Sequence, residues 1–129
     1  MAGAVTHFEI YAEEPAKLAE FYRKLFGWPI ERSPGIDYWR IQPNATGPEG
    51  IGGGILYRPI TGPRSWVHYV HVPAIDETIA EVERLGGLVL RSKSAVARTA
   101  WYAVVADPEG NIFAVWQTDP TAMPLPEPD

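Results

Sequence analysis

The stretch "VTHFEIYA" (5–12) alternates polar and apolar side chains, and sixty residues on "SWVHYVHV" (65–72) does the same. Alternation of this kind marks a half-buried strand. Each stretch leads into a helical pattern. The first is followed by "EEPAKLAEFYRKLFGW" (13–28), where Leu18, Phe21, Tyr22 and Leu25 recur at helical spacing. The second is followed by "PAIDETIAEVERLGG" (73–87), with Ile75, Ile79, Val82 and Leu85 on one stripe. Pro15 suits a first helical turn and Gly27 the position past the last turn, while Gly86 and Gly87 stop the second helix. Leu25 falls on Leu85 and Gly27 on Gly87 at the same offset.

Strand-like segments then complete each copy. They are "WPIERS", "IDYWRIQ" and "IGGGILYR" in the first half, and "LVLRS", "TAWYAVVA" and "NIFAVWQ" in the second. Each half therefore reads β-α-β-β-β. One helix per four strands cannot cover both faces of a doubly wound parallel sheet, so the expected class is α+β. The expectation is a single domain over 1–129, made of two tandem βαβββ modules (4–60 and 64–118) whose curved mixed sheets surround a concave cavity. "RPITGPRS" (58–65) reads as the linker, and 119–129 as a proline-rich arm.

Apolar residues make up 46% of the 129 residues, with five Trp and six Tyr, enough for a core without staples. The absence of cysteine removes disulfides, zinc–thiolate sites and thiol nucleophiles. A formal charge of −5 argues against nucleic acid and anionic membrane surfaces as partners. No apolar run reaches the roughly 18–20 residues of a membrane span, and the N-terminus lacks a signal-peptide pattern, so a cytoplasmic protein is expected. "GPEGIGGG" (47–54) lacks the Gly-Lys-Ser/Thr ending of a phosphate loop; its glycines suit a bulge or a close backbone approach. No Gly-x-Ser-x-Gly elbow occurs.

With "FYRKLFGW", "IGGGIL", "VERLGG" and "DPEGNIFAVWQ" in place, the chain resembles the vicinal oxygen chelate superfamily over about residues 4–118. That is the glyoxalase, bleomycin-resistance and extradiol dioxygenase group. In metal-dependent members the resemblance implies four ligand positions, which fall here on His7, Ile55, Val67 and Ala114. Register at Ile55 is blurred by one residue in the glycine run. Only His7 carries a donor atom, so no metal and no cofactor are expected. A displaced site would have to use His7, Glu9 and His71. The resemblance also implies a homodimer.

Strand parity gives the rest of the cavity lining. His7, Glu9 and Tyr11 share one face of the first strand, and Val67, Tyr69 and His71 share one face of its counterpart. Ile112, Ala114 and Trp116 do so in the last strand, and Ile55 pairs in facing with Tyr57. For Tyr38, Trp39, Trp101 and Tyr102 parity leaves the facing open. His7 and Glu9 are the acid–base candidates. Tyr57, Tyr69, His71 and Trp116 are the candidates for holding a small-molecule ligand. His68 is read as a buried, hydrogen-bonded histidine, and Arg91, Lys93 and Arg98 as a basic cluster around a loop. Two functions are consistent with these residues: metal-independent ligand binding, or a lyase, isomerase or dioxygenase type of enzyme using His7 and Glu9.

Overall fold

A computed structural model of the chain describes residues 3–43, 50–59 and 65–124. Part of the glycine-rich run (47–49), most of the linker (60–64) and the end of the proline-rich arm (125–129) lie outside the described residues. The elements run β1 (Val5–Ala12), α1 (Pro15–Phe26), β2 (Ile30–Arg32), β3 (Tyr38–Ile41), β4 (Gly52–Tyr57), β5 (Trp66–His71), α2 (Ile75–Arg84), β6 (Leu88–Val96), β7 (Ala100–Ala106) and β8 (Ile112–Thr118). The α+β class and the doubled βαβββ order follow the sequence pattern. No helix among the described residues is long and apolar enough to cross a membrane.

The chain forms two compact units, one spanning Thr6–His68 and the other taking the described residues before and after it. In the first unit β1 runs parallel to β4, while β3 is antiparallel to β4 and β2 to β3. The second unit repeats the scheme, with β5 parallel to β8, β7 antiparallel to β8 and β6 antiparallel to β7. The repeat holds at the level of single residues. Glu9 pairs with Gly54 and Tyr69 with Ala114, so both partners shift by sixty together.

One helix packs on one face of each unit's strands, hereafter the helix face. In the first unit Phe8, Ile10, Trp39, Ile41 and Ile55 bury there with Ala19, and Leu18 and Tyr22 of α1 pack against them. In the second, Val72, Ala103 and Val115 bury with Ile75, and Ile79, Trp101 and Phe113 pack against them. Both helices end where glycine allows a left-handed backbone, at Gly27 (φ 73°) and Gly86 (φ 94°). Pro15 occupies the first turn of α1. The N-terminus of α2 receives no cap from its own N-cap residue, Ala74. Instead the Ile75 N–H donates to Oε1 of Gln117 on β8 at 2.8 Å, which satisfies one orphan donor.

The final β7–β8 turn is built by Asp107. Its Oδ1 accepts from the backbone N–H of Glu109 (2.9 Å) and of Asn111 (3.0 Å), and its Oδ2 from the Asn111 side chain (3.0 Å). These bonds, with Gly110 at φ 84°, turn the "DPEGN" signal into a fixed reversal.

Candidate functional site

The residues of interest lie on the far face of each unit, opposite its helix. In the first unit the register places His7, Glu9 and Tyr11 of β1 beside Gly52, Gly54 and Leu56 of β4. Tyr38 and Arg40 of β3 follow on the same face, paired with Leu56 and Gly54. Glu31 of β2 completes one row, Glu31–Arg40–Gly54–Glu9.

Ile55 does not belong to this face. It is 0% exposed in the helix-face core and pairs with Ile10 and Trp39. The position equivalent to Ala114 is Gly54, one residue earlier, which resolves the register of the glycine run. Tyr57 shares the facing of Ile55 and therefore lies opposite His7 and Glu9. It is half exposed, with its ring edge-on to Trp39 at 6.2 Å.

Gly54 is covered from the side. A β-carbon there would collide with ring carbon Cζ and the hydroxyl oxygen of Tyr38, well inside 3.0 Å. The Tyr38 hydroxyl is hydrogen-bonded to Glu9, so the ring crosses β4 to reach β1. Burial, then the Glu9 charge and that hydrogen bond, push the Tyr38 phenol well above its ordinary range. His7 lies two residues along from Glu9 on the same face, with its Nδ1 3.2 Å from the Thr6 hydroxyl. Burial holds its imidazole below the ordinary value, favouring the neutral form.

In the second unit the row through Tyr69 runs Tyr69–Ala114–Val104–Arg91. Tyr69 is 5% exposed and Ala114 0%. The next row runs His71–Trp116–Tyr102–Ser94, and all four of its residues are half buried. Tyr69 and Trp116 meet edge-to-face at 5.9 Å, and the Arg91 guanidinium stands 5.6 Å above the Tyr102 ring. Arg91 Nε also donates to the Ser94 hydroxyl at 3.2 Å.

Arg91 and Ser94 are three residues apart, yet both belong to this face. Two register shifts in β6, between Val89 and Arg91 and between Arg91 and Ser94, break the period of two. The three basic residues do not act together. Lys93 sits over Trp101, which packs on the helix-face core, and pairs with Asp76 of α2 at 3.2 Å. Arg98 occupies the β6–β7 turn at φ 59°. His68 is exposed rather than buried, because its neighbours Val67 and Tyr69 take the buried positions of β5.

The far faces do not offer a donor set for a metal of the kind the resemblance implies. His7 has nitrogen donors, whereas Gly54, Val67 and Ala114 have none, and Val67 is 1% exposed. Among the described residues no three His, Cys, Asp or Glu side chains gather into a group able to hold a metal ion. What the chemistry of these faces supports is stacking, charge and hydrogen bonding.

Residues 7–116 match the model of the glyoxalase-like domain family. The chain is 26% identical over 122 residues to "Putative glyoxylase CFP32" of Mycobacterium bovis and of Mycobacterium tuberculosis. That match takes in 92% of this chain but 45% of the relatives, so the chain spans less than half their length. Among solved structures, a glyoxalase/bleomycin resistance protein/dioxygenase superfamily member from Vibrio splendidus 12B01 has a TM-score of 0.66 at 13% identity, covering 91% of this chain and 99% of that one. A methylmalonyl-CoA epimerase from Streptomyces coelicolor has a TM-score of 0.62 at 12% identity, covering 96% and 100%. At such identities the two structures share the fold alone with this chain. The family match extends from His7 in β1 to Trp116 in β8, and the chain belongs to the glyoxalase-like domain family.

Proposed function

We propose that this chain binds a planar small molecule without a resident metal ion, using the row His71–Trp116–Tyr102–Ser94 as its platform. The observation that carries the reading is that row: four half-buried side chains on four neighbouring strands, with the Arg91 guanidinium over Tyr102. Aromatic faces stack on planar rings, and a guanidinium held over a ring edge favours a carboxylate at the ligand's margin. The reading therefore names an aromatic carboxylate as the ligand class. Tyr69 supports Trp116 from below rather than touching the ligand, since it is 5% exposed. Tyr57 leaves the set because it faces the other way.

The test is thermal denaturation in the presence of a chelator, with benzoate and 2-naphthoate against benzylamine as the cationic control. Saturable stabilisation by the carboxylates, lost in Arg91→Ala and in Trp116→Ala, is expected. Stabilisation that is undiminished in both variants, or absent in the wild-type protein, would reject it.

A second reading makes the first unit an acid–base site in which His7 and Glu9 move a proton. It is favoured by the hydrogen bond that ties Glu9 to Tyr38 and by the neutral state of His7. It predicts exchange of a carbonyl ligand's α-proton into deuterium oxide, abolished in His7→Ala and in Glu9→Gln with the fold intact. Equal exchange in all three proteins would exclude it.

A further inference from the structure

On the far face of the first unit Gly54 is crossed by the ring of Tyr38 from β3. In the second unit the equivalent position is Ala114, and Tyr102, which pairs with Trp116 as Tyr38 pairs with Leu56, has its ring under the Arg91 guanidinium of β6. Tyr38 pairs with Leu56 and Glu9 with Gly54, so their Cα atoms lie two strand spacings apart across β4 and two residues apart along it, roughly 12 Å in all. A tyrosine can span that only if nothing projects from the strand between them. Any side chain at position 54 would stand where Cζ and the hydroxyl oxygen of Tyr38 lie. Gly54 is therefore required by the tyrosine and not by its own backbone, which has no positive φ.

We propose that Tyr38 is a positioning residue, lying across the bare Cα of Gly54 to hold the Glu9 carboxylate as the ionised acceptor that meets a cationic group of a ligand on this face. The proposal depends on Glu9 being a site residue and is independent of the aromatic platform in the second unit. A phenol donating to a carboxylate favours the ionised carboxylate and disfavours its own ionisation, in line with the upward displacement of Tyr38. The other titratable groups of this face are His7 and Tyr11 on β1, Arg40 on β3 and Glu31 on β2, whereas Gly52, Gly54 and Leu56 of β4 bring none. Arg40 stands in the same row, where its charge favours ionisation of Glu9 and repels a cationic guest, both effects weakened by its exposure to solvent.

The test follows the Glu9 side-chain carboxyl by carbon-13 NMR through a pH titration, with benzamidine as the cationic probe. In Tyr38→Phe the Glu9 pKa should rise by about one unit, the equivalent of one hydrogen bond to a charged acceptor. Gly54→Ala should give the same rise although it keeps the tyrosine, because the new methyl group displaces the ring. Benzamidine should shift the Glu9 signal saturably in the wild-type protein, with an affinity several-fold lower in Tyr38→Phe. An unchanged Glu9 titration in Tyr38→Phe overturns the proposal, and so does the absence of any benzamidine-dependent shift at Glu9. If Gly54→Ala does not fold, Tyr38→Phe and Glu9→Gln decide alone: in Glu9→Gln the Tyr38 phenol should ionise at lower pH, and an unchanged Tyr38 titration contradicts the proposal. Failure of the carboxylate screen with success here would reject the platform and leave Tyr38 in its role.

Discussion

Gly54 and Ala114 hold the same place in the two modules. Gly54 pairs with Glu9 on β1, Ala114 with Tyr69 on β5, and every one of these numbers differs by sixty from its counterpart. Neither residue carries a donor atom. Gly54 leaves room for the Tyr38 ring, and neither position brings the carboxylate or imidazole that a metal site would need there.

The crossing of Gly54 by Tyr38 predicts a stability effect with a built-in control. Gly54→Ala overpacks the far face and should cost about 1–3 kcal/mol. In the Tyr38→Ala background the same substitution meets open space and should cost little. Urea denaturation of the four proteins gives the coupling energy. Additive effects would mean that the ring does not occupy the space over Gly54.

Ile55 is a core residue and not a site residue, being 0% exposed among Phe8, Ile10 and Trp39. Ile55→Ala should therefore destabilise by about 2–5 kcal/mol, the range for a truncated core aliphatic side chain. Ligand affinity per folded molecule should stay unchanged. A stable Ile55→Ala protein with lost binding would contradict the assigned facing of β4.

Burial lowers the His7 pKa below its ordinary 6.5. The unfolded chain then takes up a proton at higher pH than the folded one, so the unfolded state binds more protons between the two values. Stability contributed by neutral His7 is present above pH 6.5 and is lost as pH falls from there toward the folded value. Proton NMR should place the His7 midpoint under 6.5, and His7→Gln should flatten the stability profile in that window. A midpoint at or above 6.5 contradicts the account.

Asp107 gives the opposite-type group with the same pH sense. Hydrogen bonds from the Asn111 side chain and backbone hold its carboxyl below the ordinary 3.8. A depressed carboxyl contributes stability that is present above 3.8 and is lost as pH falls through the folded value. Asp107→Ala should lower the melting temperature at neutral pH and reduce the loss of stability on acidification below about pH 4. An acid profile identical to that of the wild-type protein would show that the turn does not depend on this carboxylate.

Much of the fold was legible because the repeat repeats physics, not only letters. Alternation in 5–12 and 65–72, Pro15 at a helix start and glycines past both helix ends each have a local cause. The site was less legible, for reasons that are also local. Three consecutive glycines, Gly52 to Gly54, carry no side chains to reveal which face is which, so Ile55 took the place of Gly54. Tyr38 and Trp39 both suit a strand, and only the pairing of Trp39 with Ile55 decides that Tyr38 faces Glu9. The bulges in β6 put Arg91 and Ser94 on one face against the period of two. A row of residues from four strands, such as His71, Trp116, Tyr102 and Ser94, is set by register, which no single stretch encodes.

The central claim, that this member of the family binds its ligand without a resident metal ion, is tested most directly by metal content. Tag-free protein would be incubated with zinc, nickel, manganese and iron(II), dialysed, and analysed by plasma mass spectrometry. The account predicts no metal above background, since Gly54, Val67 and Ala114 offer no donor atoms. Near-stoichiometric metal that survives dialysis and is lost in His7→Ala would contradict it.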